Sequence, residues 1–113
     1  MHELALAEEI VQLVDAQARA QAFARVRRIR LVVGALAGVE PDALEFGFES
    51  VRRGTALDGA ALEILRTPGV GRCLACERDV EIGARGESCP SCGSNQVLVI
   101  GGEELRVAEL EVE

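Results

Sequence analysis

Two short cysteine pairs constrain this chain more than any other feature. Cys73-Leu74-Ala75-Cys76 and Cys89-Pro90-Ser91-Cys92-Gly93 stand twelve residues apart. Two residues between cysteines bring both sulfurs out of one tight turn onto one ion, and two such turns complete a tetrahedral cage. Pro90 pre-sets its turn, and Gly93 lets backbone amides approach the thiolates. A closed four-thiolate site keeps no open coordination position, so its role is structural. Rubredoxin-type iron uses the same ligands, and spacing alone does not separate the two metals. Residues 71–95 contain no aromatic side chain, which favours zinc. A redox dithiol pair and unligated cysteines are the other readings, and both are disfavoured by this paired spacing.

The rest of the composition fits a small soluble domain stapled by a metal. At 113 residues the chain supports one compact unit. It has three Phe and no Trp or Tyr, so its core is aliphatic and a structural metal adds support. The net charge of −7 argues against nucleic-acid binding, for which a basic face is the footprint. The one basic cluster, Arg25, Arg27, Arg28 and Arg30, falls on a stretch that reads as a strand, so its members point to opposite faces. No apolar run reaches the roughly 18 residues that span a bilayer, so no membrane association is expected. The N-terminus shows no secretory pattern. A cytoplasmic address is expected, and there four cysteines serve as thiolate ligands more readily than as disulfides.

Along the chain, Leu6, Ile10, Leu13 and Val14 predict a helix from Leu4 to about Ala24. Arg27 to Val33 predicts a strand with Ile29, Leu31 and Val33 on one face. Residues 34–38 are a small-residue turn. Pro41 suits the first position of a second helix, with Leu44, Phe48 and Val51 buried and Arg53-Gly54 closing it. A strand over residues 60–67 is stopped by Pro68-Gly69, and residues 71–95 read as turns around the cysteines. Residues 96–100 and 103–113 predict strands, the last with a change of parity that suggests either a β-bulge or an edge strand with a mixed face. The order predicts an α+β fold: a small sheet with two helices (1–68 and 97–113), interrupted by an inserted zinc knuckle (69–96).

The chain opens Met1-His2-Glu3, and His2 is its only histidine. A lone terminal histidine is by itself read as a solvated side chain. One chemical point favours more. A bulky second residue is expected to retain the initiator methionine, which leaves an amine, ionisable amides and an imidazole within two residues. Such a nitrogen-rich planar set suits Ni(II) or Cu(II) better than Zn(II). Glu3 offers a carboxylate or its backbone nitrogen, or it simply complements the dipole of the first helix. No other histidine, nucleophile motif or phosphate loop is present, so no enzyme activity is expected.

These features occur together in one known family. Met1-His2-Glu3-Leu4, Val33-Gly34-Ala35-Leu36, Val39-Glu40-Pro41, the CxxC…CPxCG pair and the ending Glu104-Leu105-Arg106-Val107…Glu111-Val112-Glu113 resemble the HypA/HybF family of hydrogenase nickel-incorporation proteins from end to end. The resemblance implies a nickel-binding α/β domain with an inserted zinc domain. It implies His2 as the essential nickel ligand, with Glu3 beside it, and Cys73, Cys76, Cys89 and Cys92 as zinc ligands. Glu40 matches an acidic position thought to approach the nickel, or it is a helix-capping or solvated carboxylate. The implied role is a metallochaperone holding Ni(II) and Zn(II). It would deliver nickel with a HypB-type GTPase to the large subunit of a [NiFe] hydrogenase, with urease as a second client and a homodimer compatible with the resemblance. Glu77 departs from the family pattern, standing where glycine commonly follows the first cysteine pair, and a looser turn is expected there. Ala5 and Ala7 replace frequent serines.

Overall fold

The computed structural model describes residues 3–113. In chain order these form helix α1 (Glu3–Gln21), strand β1 (Val26–Gly34), helix α2 (Pro41–Val51), and strands β2 (Ala61–Thr67), β3 (Gly69–Cys73), β4 (Asp79–Ile82), β5 (Val97–Gly101) and β6 (Leu105–Val112). The fold is α+β, with two three-stranded sheets ordered β2-β1-β6 and β4-β3-β5. The chain divides into two compact units. The first runs to Leu31 and includes Val39–Leu65 and Val107–Glu113; the second is Val32–Gly38 and Arg66–Arg106. No described helix is long and apolar enough to cross a membrane.

In the first unit α1 buries Leu6, Ala7, Ile10, Val11, Val14 and Ala18. Leu13, which the sequence spacing assigns to this stripe, is 53% exposed. The stripe is centred between Ile10 and Val14 and extends to Val11 and Ala18, so Leu13 falls past its edge. The helix also stops before the expected Ala24. Ala22 takes the left-handed region at φ 58°, and the Phe23 N–H returns to the Ala18 carbonyl at 3.1 Å. That is a Schellman-type closure made by alanine in the place usually given to glycine. β1 is the central strand of its sheet, with Ile29, Leu31 and Val33 buried, as their parity predicts. In α2, Pro41 opens the helix, Leu44 and Phe48 are buried, and the Arg52 N–H caps the end on the Phe48 carbonyl. The closing residue therefore falls one position before the expected Arg53-Gly54.

The β1 arginines lie in a cross-strand ladder of charge. Arg30 reaches Glu109 at 2.9 Å and Glu63 at 3.2 Å. Arg28 reaches Glu63 at 3.1 Å and Glu111 at 3.9 Å, and Arg27 reaches Glu111 at 3.5 Å. Three of the cluster's four arginines thus share three glutamates.

In the second unit, residues 71–95 are more than turns. β3 and β4 pair antiparallel from Gly69↔Ile82 to Arg72↔Asp79, making a hairpin whose loop is the first cysteine turn. β5 pairs antiparallel on the other side of β3; Val70 faces Gly101 while Gly71 faces Val99, so Ile100 bulges. Residues 34–36 are held by backbone bonds. Gly34 N–H donates to the Glu104 carbonyl at 2.7 Å, Ala35 N–H to that of Thr67 at 2.9 Å, and Leu36 N–H to that of Gly102 at 2.7 Å.

Candidate metal centre

The two cysteine turns are built on one plan. In the first, the Cys73 N–H donates to the Arg78 carbonyl at 2.9 Å, and the Glu77 N–H donates back to the Cys73 carbonyl at 2.8 Å. In the second, the Cys89 N–H donates to the Ser94 carbonyl at 2.8 Å, and the Gly93 N–H to the Cys89 carbonyl at 2.8 Å. Each turn therefore closes on itself through backbone hydrogen bonds. Side chains join them: the Arg78 guanidinium donates to the Ser91 hydroxyl at 3.2 Å, and Ser88 donates to the Asn95 side-chain oxygen at 2.6 Å.

The four sulfurs converge. Cys73 Sγ lies 3.6 Å from Cys92 Sγ, and Cys76 Sγ lies 3.9 Å from Cys89 Sγ. All four sulfurs fall within 4.8 Å of one another. A tetrahedral zinc with metal–sulfur bonds of about 2.3 Å has sulfur–sulfur edges of about 3.8 Å. The donor set and its spacing therefore fit zinc. Cys73 and Cys89 are buried, Cys76 half-buried and Cys92 exposed. Among the described residues this is the one group of three or more metal-ligating side chains close enough to share an ion.

Electrostatics divides the thiols by their place in the turn. The backbone N–H of Cys76 pointing at Cys73 is the main cause that brings the Cys73 thiol down from 9.0 to about 6. The Cys92 N–H likewise lowers Cys89. Burial pushes Cys76 up to about 12. At Cys92 the Ser94 N–H pulls downward, but the neighbouring Cys73 thiol and burial outweigh it and the thiol is raised. The first thiol of each turn is thus lowered and the second raised. A zinc ion held by Cys73, Cys76, Cys89 and Cys92 would supply the positive charge that lets all four ionise, and would cross-link the two turns.

The resemblance implies His2 and Glu3 as nickel residues, with Glu40 as a further candidate. Met1 and His2 fall outside the described residues. Glu3 begins α1, and its Oε2 accepts a hydrogen bond from the Glu40 backbone N–H at 3.1 Å. Glu40 is the N-cap of α2 and its own side chain makes no cap hydrogen bond. The structure therefore brings Glu3 to the backbone of Glu40 and leaves the Glu40 side chain exposed. Sequence reasoning did not find this tie, because no local pattern announces a hydrogen bond between residues so far apart in the chain. It also passed over Gly47, although a glycine inside a helical pattern is a signal of close packing.

Comparison with known proteins agrees with this arrangement. The family described as hydrogenase/urease nickel incorporation, metallochaperone, HypA matches residues 1–112. The hydrogenase maturation factor HypA of Alkalilimnicola ehrlichii is 53% identical over 113 residues, the whole of both chains. HypA 2 of Bradyrhizobium diazoefficiens is likewise 53% identical over the whole of both chains. In fold the chain is similar to the solution structure of the Ni metallochaperone HypA from Helicobacter pylori, with a TM-score of 0.68 and 22% identity over 99% of this chain and 97% of that one. With its full length matched and its four thiolates gathered in a zinc-sized cage, the chain belongs to the HypA family of hydrogenase/urease nickel-incorporation metallochaperones, which are maturation factors and not enzymes.

Proposed function

We propose that this protein binds one Ni(II) at its N-terminus, through the Met1 amine region, backbone nitrogens and the His2 imidazole, with Glu3 beside them. It hands the ion on, together with a HypB-type GTPase, to the large subunit of a [NiFe] hydrogenase in the cytoplasm, with urease as a second client. Cys73, Cys76, Cys89 and Cys92 hold a structural zinc. The working division is a nickel-binding part, 1–68 and 97–113, and a zinc-binding part, 69–96. Delivery needs a site that binds well and opens readily, and a terminal ligand set suits that better than a closed cage.

The observation that carries this reading is the Glu3–Glu40 hydrogen bond. It supports a terminal site because it anchors the residue next to His2 at the start of α2. A nitrogen-rich set requires deprotonated ligands, so nickel affinity falls as pH drops through the imidazole range near 6.5. The test is titration of the untagged protein with Ni(II), followed by calorimetry and ultraviolet-visible absorption. Wild type takes up one equivalent, and His2→Ala loses the tight site while keeping its zinc. An added N-terminal extension damages binding although every side chain is still present. A His2→Ala protein that binds nickel with wild-type affinity and spectrum overturns the terminal site.

A further inference from the structure

The two helices of the first unit come close at Gly47. A Cβ there would stand 3.3 Å from the Ala7 Cβ, 3.3 Å from the Leu4 Cα and 3.4 Å from the Glu3 carbonyl oxygen. These atoms belong to the start of α1, the turn that carries Glu3 to the Glu40 N–H. Pro41 at the first position of α2 has no N–H, and the Glu40 side chain does not cap the helix. The Glu3 carboxylate, from the neighbouring helix, instead accepts the N–H of Glu40 itself, one of the donors left open at the helix start, at the end where the helix dipole favours negative charge.

Glycine in a helix interior disfavours the helix relative to alanine. Helix formation therefore does not account for Gly47, whereas the spacing between the helices does. Any side chain at this position stands between α2 and the backbone of α1 and shifts the first turn of α1 outward by a few tenths of an ångström. The residue displaced is Glu3, and with it the chain that leads to His2.

We propose that Gly47 is a positioning residue for the terminal nickel site, its missing side chain setting the α1–α2 distance that lets Glu3 reach the Glu40 amide. The inference rests on the terminal-site reading above. It assigns Gly47 no contact with the metal.

The experiment compares wild type, Gly47→Ala and the double variant Gly47→Ala/Ala7→Gly, all untagged and full length. The double variant moves one methyl group from α1 to α2, so helix propensity is conserved and the Ala7 contact is relieved, while the contacts with the Leu4 and Glu3 backbone remain. Two readouts are taken: hydrogen exchange of the Glu40 amide without nickel, and Ni(II) affinity by calorimetry, with zinc content as the control for folding. Gly47→Ala is expected to keep its zinc, to exchange the Glu40 amide faster, and to bind nickel roughly tenfold more weakly, since small misplacements of a ligand frame are costly. The double variant is expected to recover both readouts in part, since one of the three contacts is relieved. Unchanged exchange and affinity in Gly47→Ala, or losses that the double variant leaves as large as in the single variant, overturn the proposal. If wild type itself holds no nickel at the terminus, the functional reading fails, while the exchange measurement still decides the spacing.

Discussion

Glu77 and Gly93 occupy equivalent places in the two cysteine turns, and both take left-handed backbone conformations, with φ of 59° and 79°. Each donates its N–H to the carbonyl of the first cysteine of its turn at 2.8 Å. The conformation costs glycine nothing, whereas a residue with a Cβ loses about 1–2 kcal/mol. The turn around Glu77 is not loosened by the missing glycine. It keeps the same hydrogen bonds as its partner and carries the strain instead.

Glu77→Gly is therefore expected to stabilise the zinc-binding turns. The relief of left-handed strain is offset by about 0.5–1 kcal/mol from the freer unfolded chain, leaving a gain of roughly 0.5–1 kcal/mol. Zinc transfer to a chromogenic chelator should slow in this variant. Faster transfer would contradict the assignment of strain to Glu77.

Gly34→Ala is expected to be far more damaging. A Cβ at Gly34 would lie 2.1 Å from the Gly102 oxygen and 2.3 Å from its carbonyl carbon. Both obstacles are backbone, and Gly102 is itself at φ 91° with Gly69 packed behind it. No flexible side chain is available to yield. A loss of about 3 kcal/mol, the upper range for overpacking, is expected in denaturant titration. Gly38→Ala is the control: φ there is 74° but the space around it is open, so only about 1–2 kcal/mol is expected. Equal losses at the two positions would refute the close-approach account.

The sequence was most legible where chemistry is local. Cys73 and Cys76 must converge because two residues separate them, and the same holds for Cys89 and Cys92. The stripe of α1 and the parity of β1 were readable for similar reasons, since they repeat within a few residues. β3 and β4 were not, because Gly69 and Gly71 interrupt the apolar alternation and the strands are only five and four residues long. Leu13 shows the other limit. Its spacing matches a helical stripe, but which arc of α1 is buried depends on what packs against it. The Glu3–Glu40 tie and the gap at Gly47 are products of tertiary packing, and no short window of sequence contains both partners.

Glu104 supplies a pH-dependent term in the second unit. The Thr67 hydroxyl donates to its carboxylate, and the Gly102 N–H donates to Oε1 at 3.0 Å. These donors, the Thr67 hydroxyl first, hold the Glu104 carboxyl below its ordinary value of 4.5. A carboxyl lowered in the folded state stabilises above its unfolded value, and the contribution fades as pH falls through the lower folded one. Glu104→Gln should therefore be less stable than wild type at pH 7. The gap in melting temperature should begin to close below about pH 4.5. A gap that stays constant into the acid range would show that the charge of Glu104 plays no part.

The arginine ladder on β1 yields the last prediction. Glu63 is shared by Arg28 at 3.1 Å and Arg30 at 3.2 Å, so its loss leaves two guanidinium groups on neighbouring positions of one strand face without their common anion. The partners are only partly exposed, the Arg30 side chain at 33%, so the effect should exceed that of a lone surface pair. Glu63→Gln is expected to cost about 1 kcal/mol in low salt, and less in 1 M salt, where screening shortens the reach of charge to about 3 Å. The same pairing weighs against a nucleic-acid footprint here: Glu63, Glu109 and Glu111 pair with Arg27, Arg28 and Arg30, three of the cluster's four arginines. At near-physiological salt the wild-type protein should bind duplex DNA no more tightly than the non-specific range of about 10⁻⁴–10⁻⁶ M. Submicromolar binding to any duplex, or a Glu63→Gln defect that does not shrink with salt, would count against this account of the ladder.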